Sequence, residues 1–72
     1  MGMINKILGR SDINMIIGMQ EADALAHLKN INVKMRVISR NGNSIMINNK
    51  IDMNRVNVFV VGDFVTNISN MG

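Results

Sequence analysis

The chain contains no cysteine, so it can form neither disulfide bridges nor the thiolate ligands of a metal site. His27 is the one histidine, and a zinc site in a protein normally needs several histidine, cysteine or carboxylate ligands. We therefore expect no metal and no cofactor. A chain without cysteine fits a reducing compartment, and its stability must come from aliphatic packing or from self-association.

Long apolar runs are also missing. No stretch approaches the roughly 18 consecutive apolar residues of a membrane-spanning helix. The sequence also lacks a signal peptide, whose apolar centre would be about 7–15 residues long. We expect a soluble, cytoplasmic protein that does not associate with membranes.

Aromatic side chains are scarce, since Phe59 and Phe64 are present but no Tyr or Trp. The net charge is +3, which favours acidic partners slightly. Nucleic-acid-binding domains usually concentrate basic charge and add stacking aromatics. Lys34, Arg36 and Arg40 lie close together in the sequence, but no Tyr or Trp accompanies them. The charge is therefore interpreted as serving solubility, and a nucleic-acid partner is not expected.

Groups for acid–base or nucleophilic catalysis are few. The five acidic residues are dispersed along the chain, and the single histidine has no cysteine or evident nucleophile to activate. This inventory favours neither a Ser–His–Asp nor a Cys–His arrangement, nor a pair of catalytic carboxylates. No Gly-rich phosphate-binding loop is present. The sequence predicts that the protein is not an enzyme and has no catalytic residues.

The 72 residues that are present suffice for one domain, with an N-terminal arm over 1–14 and the packed part over 15–72. Eleven isoleucines, eight methionines and twelve asparagines dominate the composition. This bias is typical of an AT-rich coding genome, such as that of a phage or mobile element. A single core of this size usually supplies only about 3–5 kcal/mol of stability.

The apolar spacing predicts one helix over 20–30, preceded by a short strand over 14–17. His27 is expected on the solvent-facing side of this helix, four residues after Asp23. The 3–4 spacing predicts that the buried stripe of the helix consists of Ala22, Leu25, Ala26 and Lys29, with Leu28 beside them.

Apolar and polar residues then alternate over 33–39 and again over 55–61, which is typical of half-buried strands. Gly62 and Asp63 form a two-residue hairpin signal before a last strand over 64–69. The sequence thus predicts an α+β fold, with a single helix packed on a small mixed β-sheet and a long exposed loop between two strands. The predicted core consists of Ile17, Ala22, Leu25, Leu28, Val33, Met35, Val37, Val56, Val58, Val60 and Ile68.

The polar, Asn-rich segment over 43–53 is predicted to be this exposed loop. Connections of such length are uncommon in small domains and are usually functional or disordered. Two alternatives remain open. Ile45, Met46 and Ile47 carry enough apolar surface to fold back onto the core, and the loop can also act as a hinge for domain swapping.

A family resemblance is carried by four short stretches, which are residues 18–24 (GMQEADA), 36–38 (RVI), 50–52 (KID) and 54–60 (NRVNVFV). In this order they resemble the potato inhibitor I family of small serine-protease inhibitors, which includes the eglin and barley types. The similarity covers most of the domain and includes the glycine at position 72. It implies one helix against a small mixed sheet and an exposed loop that inhibits a protease in the manner of a substrate.

The resemblance also implies roles for individual residues. Arg55 matches an arginine that supports the loop from below, and Asn57 stands where a second supporting arginine is usual. Ile47 is the predicted specificity residue, and Asn49 is the second choice because the register of the loop is ambiguous. The predicted partner-binding residues are Ser44, Ile45, Met46, Ile47, Asn48, Asn49 and Lys50.

Three functions are consistent with these observations. The leading hypothesis is a small protein-binding domain that inhibits a serine protease through residues 43–53. The second is a non-inhibitory regulator, phage or mobile-element encoded, that binds a protein partner with the same fold. The third is a small basic nucleic-acid binder, which would use Lys34, Arg36, Arg40, Lys50 and Arg55. A homodimer formed by loop exchange or by pairing of sheet edges is compatible with the first two.

Overall fold

A computed structural model describes residues 9–48 and 50–72 of the chain. Its elements, in chain order, are α1 (Ser11–Asn14), α2 (Glu21–Asn30), β1 (Lys34–Arg40), β2 (Asn43–Ser44), β3 (Arg55–Val61) and β4 (Phe64–Met71). The strands form one sheet in the order β2-β1-β3-β4, in which β1 and β3 are parallel and the other two pairs antiparallel. The predicted α+β class, with a helix on a small mixed sheet, is confirmed.

Helix α2 begins after Gln20, whose backbone is extended, and ends before Asn32, which has a positive φ of 59°. Acidic residues in its first turn and basic residues in its last suit the helix dipole. Its position agrees with the predicted helix, but the predicted buried face is wrong. Ala24 and Leu28 are the buried residues of α2, and the members of the predicted stripe are exposed.

The sequence of α2 contains two competing stripes at helical spacing. The predicted stripe ends on Lys29, whose ammonium group requires water, whereas the stripe of Ala24 and Leu28 continues to Ile31, which packs against the core. Packing on the sheet therefore selects the second stripe. Leu25, a predicted core residue, is 49% exposed.

The predicted strand over 14–17 is also wrong. Helix α1 and the turns after it occupy this region, and Ile13 and Ile16 are fully buried. Two buried residues three positions apart need a helical turn, because an alternating strand would place them on opposite faces. Residues 1–8 of the predicted N-terminal arm lie outside the described residues, while Ile13, near its end, belongs to the core.

After α1, the main chain first pairs with the sheet at Gly18 and Met19, which lie beside β4. The Gly18 amide donates to the Val65 oxygen at 2.7 Å, and the Val65 amide donates to the Met19 oxygen at 2.8 Å. One part of the β4 edge is thereby covered. β4 itself continues two residues beyond the predicted end of the last strand, to Met71.

Strands β3 and β4 form the predicted hairpin around Gly62 and Asp63. Gly62 has a positive φ of 60°, which glycine adopts without the steric cost that a Cβ would add. A further link joins this turn to the end of β1, where the Gly62 amide donates to Asn41 Oδ1 at 2.7 Å.

The core lies between the sheet and the two helices. Alternation in β3 places Val56, Val58 and Val60 inward as predicted, and most of the other predicted core residues are buried or pack against the core. Ala22 and Leu25 are the exceptions, and the sequence did not single out Ile13, Ile16, Ala24 and Val65. The fully buried or nearly buried residues are Ile13, Ile16, Ala24, Leu28, Val33, Val56, Val58, Val60, Val65 and Ile68.

Helix α2 is tied to the far end of β1 by an ion pair. Arg40 Nη1 and Nη2 donate to the two carboxylate oxygens of Glu21 at 2.9 and 3.0 Å. These hydrogen bonds lower the pKa of Glu21 below its ordinary value. The guanidinium group of Arg40 is thus engaged on the helix side of the sheet.

A candidate protein-binding segment

The segment over 43–53 starts with a reversal of the chain after β1. Asn41 and Gly42 both have positive φ angles, and β2 then pairs with the end of β1. The pairing ends where the Ile45 amide donates to the Ile38 oxygen at 2.9 Å. Ser44, which sequence analysis placed in the loop, is therefore an exposed residue of the short strand β2.

Beyond Ile45 the described residues have no regular secondary structure until β3. They return along the outer face of the sheet, because the main-chain oxygens of Asn48 and Lys50 accept hydrogen bonds from side chains near the starts of β1 and β3. Asn48 O accepts from Arg36 Nη1 at 3.5 Å, and Lys50 O accepts from Arg55 Nη2 at 2.6 Å. Asn49, the second choice for the specificity residue, lies outside the described residues.

Exposure alternates along the apolar part of this segment. Met46 is 98% exposed, whereas its neighbours Ile45 and Ile47 are 38% and 40% exposed. The alternative in which all three side chains fold onto the core is therefore wrong for Met46. Further along, Ile51 and Met53 are also largely exposed.

Arg55 lies beneath the segment, at the start of β3. Its Nη2 donates to Lys50 O, and its Nε and Nη2 both lie 3.3 Å from the main-chain oxygen of Gly72. One planar guanidinium group thus joins the segment to the residue that follows β4. An arginine suits this position because its donors are held in a fixed fork.

Asn57 does not reach the segment directly. It is 4% exposed, and its Oδ1 accepts from Arg36 Nε at 2.8 Å. Its Nδ2 donates to Asn70 Oδ1 at 2.7 Å and to Gly72 O at 2.9 Å. The amide is therefore fully engaged, and it holds the second guanidinium group of the site in place.

That second guanidinium group belongs to Arg36, which sequence analysis did not assign to the support of the loop. Arg36 donates to Asn57, to Gly72 O at 3.1 Å and to Asn48 O. Arg36 and Asn57 are direct neighbours in the parallel pairing of β1 and β3. Strand alternation predicted that Arg36 faces away from the core, but only the register of the sheet places it beside Asn57.

The end of the segment is fastened by Asp52 and Asn54. Asp52 Oδ2 accepts from Lys34 Nζ at 2.8 Å, and its Oδ1 accepts from the Asn54 amide at 2.9 Å. The hydrogen bond from Lys34 is the main reason that the pKa of Asp52 lies below its ordinary value, and the Asn54 amide lowers it further. Asn54 Nδ2 also donates to the main-chain oxygen of Asn32.

An open cavity of about 500 Å³ lies between this segment and the outer face of the sheet. Its wall is polar along the sheet, where Arg36, Asn57 and Asn70 contribute, and apolar where Ile47, Ile51 and Met53 contribute. Within the described residues, no buried side-chain nitrogen or oxygen lacks a hydrogen-bond partner. The buried side-chain polar groups of the cavity are therefore all hydrogen-bonded.

Charge is unevenly distributed over the described residues. The segment and the strand residues beneath it carry four basic side chains and one acidic side chain, a net charge of +3, namely Lys34, Arg36, Lys50 and Arg55 against Asp52. The other described residues have a net charge of −1, from Arg10, Lys29 and Arg40 against Asp12, Glu21, Asp23 and Asp63. The segment side is therefore the positive side of the molecule.

His27 is half-buried rather than solvent-facing, so its predicted position is wrong. Its Nε2 donates to the main-chain oxygen of Asp12 at 2.6 Å and so links α2 to α1. Among residues 9–48 and 50–72, no group of three or more His, Cys, Asp or Glu side chains is placed to hold a metal ion. In the same part of the chain, no helix is long and apolar enough to cross a membrane.

Comparison with protein-family models, with curated proteins and with solved structures finds no significant match to this chain.

Proposed function

We propose that the protein binds a partner protein through residues 43–53, and that substrate-like inhibition of a serine protease is the leading mode. The observation that carries the proposal is the exposed apolar sequence Ile45-Met46-Ile47, which lies in a segment fastened to the sheet by Arg36 and Arg55. This arrangement accords with the resemblance to the potato inhibitor I family.

Preorganisation is the physical basis of the proposal. A flexible segment loses conformational entropy when it binds, and this cost falls if the segment is already held in one shape. Arg36 and Arg55 contact main-chain oxygens on either side of residue 49, and Lys34 holds the end of the segment through Asp52. Three basic side chains thus restrain the backbone while leaving apolar side chains in water.

The same contacts favour a protein over a nucleic acid as the partner. Three of the basic side chains on the segment side, Lys34, Arg36 and Arg55, are engaged with acceptors inside the fold. Their charge still contributes to a positive field, which accelerates the approach of an acidic protein surface. They lack the accompanying Tyr or Trp that stacks on bases in many nucleic-acid-binding domains.

A non-inhibitory regulator is the second candidate. The specific observation in its favour is the exposure of Ile51 and Met53, which extends the apolar surface beyond the short stretch that a protease cleft would take. In either case we propose a cytoplasmic protein that binds without catalysis. Self-association by loop exchange or by pairing of the β4 edge is a further proposal, and sedimentation at several concentrations tests it.

The direct test is a panel of subtilisin-like, chymotrypsin-like and elastase-like proteases assayed with excess intact protein. Inhibition, with slow or absent cleavage of the segment, would support the leading mode. The matched control replaces residues 45–49 with glycine and serine, which removes the apolar surface and leaves Arg36 and Arg55 in place. If no protease is inhibited and the segment is simply cleaved, the inhibitor proposal fails and the regulator takes its place.

A further inference from the structure

Met46 occupies a special position in the segment. The chain is held just before it, where the Ile45 amide donates to the Ile38 oxygen at 2.9 Å, and a longer contact of 3.5 Å joins Asn48 O to Arg36 Nη1 two residues after it. Met46 lies between these two contacts, and its side chain is 98% exposed.

The two neighbours of Met46 are much less exposed than Met46 itself. Ile45 and Ile47 are 38% and 40% exposed, so Met46 is the side chain of the three that is turned fully away from the protein. Ile47 instead lines the cavity beneath the segment, so its branched side chain would have to leave that cavity to enter a partner's pocket.

We propose that Met46 is the specificity-determining residue, and that it enters an apolar pocket of the partner deep enough for an unbranched side chain. This inference rests on the proposed function and replaces the sequence-based choice of Ile47. The chemistry of methionine suits the role, because its flexible and polarisable thioether adapts to irregular apolar pockets. Lys34, Arg36 and Arg55 lie beside the segment. We therefore expect the rim of such a pocket to be acidic or neutral rather than basic.

Exchange of specificity is the first test. Purified chymotrypsin, which has an apolar pocket, and purified trypsin, whose pocket has an acidic base, serve as probes. Met46→Arg should weaken inhibition of chymotrypsin by about tenfold to a hundredfold, since burial of an apolar side chain of this size is lost. The same variant should gain inhibition of trypsin.

Two matched variants serve as controls. Ile47→Arg tests the neighbouring position, and Met53→Arg makes the same substitution at another exposed methionine of the segment. Neither should shift the preference from chymotrypsin to trypsin, and Met46→Arg and Met53→Arg, at largely exposed positions, should keep the urea midpoint of the parent protein. If Ile47→Arg or Met53→Arg causes the exchange while Met46→Arg does not, the inference is overturned.

Mapping of the cleaved bond separates this inference from the proposed function. Brief digestion with chymotrypsin, followed by mass spectrometry, should identify a cut after Met46 that disappears in Met46→Ala. If the protein is cut there without inhibiting any protease, the inhibitor proposal fails and the assignment of Met46 stands. A first cut at another residue overturns the assignment of Met46, and the absence of both cleavage and inhibition overturns both proposals.

Discussion

Replacement of Arg55 by alanine provides the sharpest test of the idea that guanidinium groups hold the segment in place. Arg55 donates to Lys50 O at 2.6 Å and has two longer contacts of 3.3 Å with Gly72 O. The first contact restrains the segment, and the others connect the same side chain to the end of β4. Arg55→Ala should therefore loosen residues 45–54 more than it destabilises the fold.

The size of the effect follows from the hydrogen bond to Lys50. A hydrogen bond with a charged donor contributes about 1.5–3 kcal/mol in typical protein sites. Because this contact is exposed to solvent, we take the lower end, about 1.5 kcal/mol, for the free energy of local opening. A change of that size raises the population of the opened segment by roughly tenfold.

Limited proteolysis by a protease that the protein does not inhibit, such as thermolysin, reports this opening. When opening and closing are fast relative to cleavage, the initial rate of cleavage between residues 45 and 54 follows the opened population. We expect a roughly tenfold increase for Arg55→Ala. Urea unfolding of the same variant measures global stability and should show a smaller change in free energy.

Lys29→Ala is the matched control, because it removes one positive charge from an exposed position on α2 that is remote from the segment. Its cleavage rate should equal that of the parent protein. The reasoning is refuted if Arg55→Ala leaves the cleavage rate unchanged. It is also refuted if cleavage rises only in proportion to a loss of global stability, since Arg55 would then stabilise the fold rather than the segment.

Three further predictions concern the core, the polar network and the pH dependence. Leu28→Ala should lower the free energy of unfolding by about 2–5 kcal/mol, because Leu28 is fully buried. Leu25→Ala, at a half-exposed site, should lower it much less. Equal effects of the two variants in urea unfolding would contradict the observed helix face. Asn57→Ala should cost about 1–3 kcal/mol, because Arg36 Nε, Asn70 Oδ1 and Gly72 O each lose a hydrogen bond to this buried amide, and a neutral result in the same assay would contradict the network. The pKa of Asp52 lies below its ordinary value of 3.8, so its contact with Lys34 stabilises the protein above that pH and is lost as the pH falls through the lowered pKa. Asp52→Asn should therefore reduce stability at pH 7 and flatten the acid limb of a stability–pH curve, and an unchanged limb would argue against this contact.

Local patterns in the sequence determined the type of most elements. Alternation over 55–61 fixed β3 to the residue, and the Gly62-Asp63 pair fixed the hairpin that follows it. Both signals are local, because side-chain alternation and the positive φ of a glycine depend only on neighbouring residues. The absence of cysteine and the small number of titratable groups likewise needed no structure to interpret.

The face of a helix is a different kind of property. The sequence of α2 contains two stripes at helical spacing. The stripe of Ala24 and Leu28 packs on the sheet because it continues to the apolar Ile31, whereas the other stripe ends on the charged Lys29. For the same reason Ile16 became a core residue where a strand was expected, and Ile13 became one in the expected N-terminal arm. Which apolar face is buried depends on its partner, and the partner is absent from any local window.

The candidate site divides in the same way. The sequence predicted that residues 43–53 form the exposed loop, and the family resemblance implied that Arg55 supports it. Strand alternation placed Arg36 on the outer face. Only the parallel register of β1 and β3 brought Arg36 beside Asn57, and only the path of the chain above them turned Met46 outward. The sequence by itself therefore determined the type of most elements and the segment on which the site lies, whereas tertiary structure decided which side chains meet, because contacts between distant residues are set by register and packing.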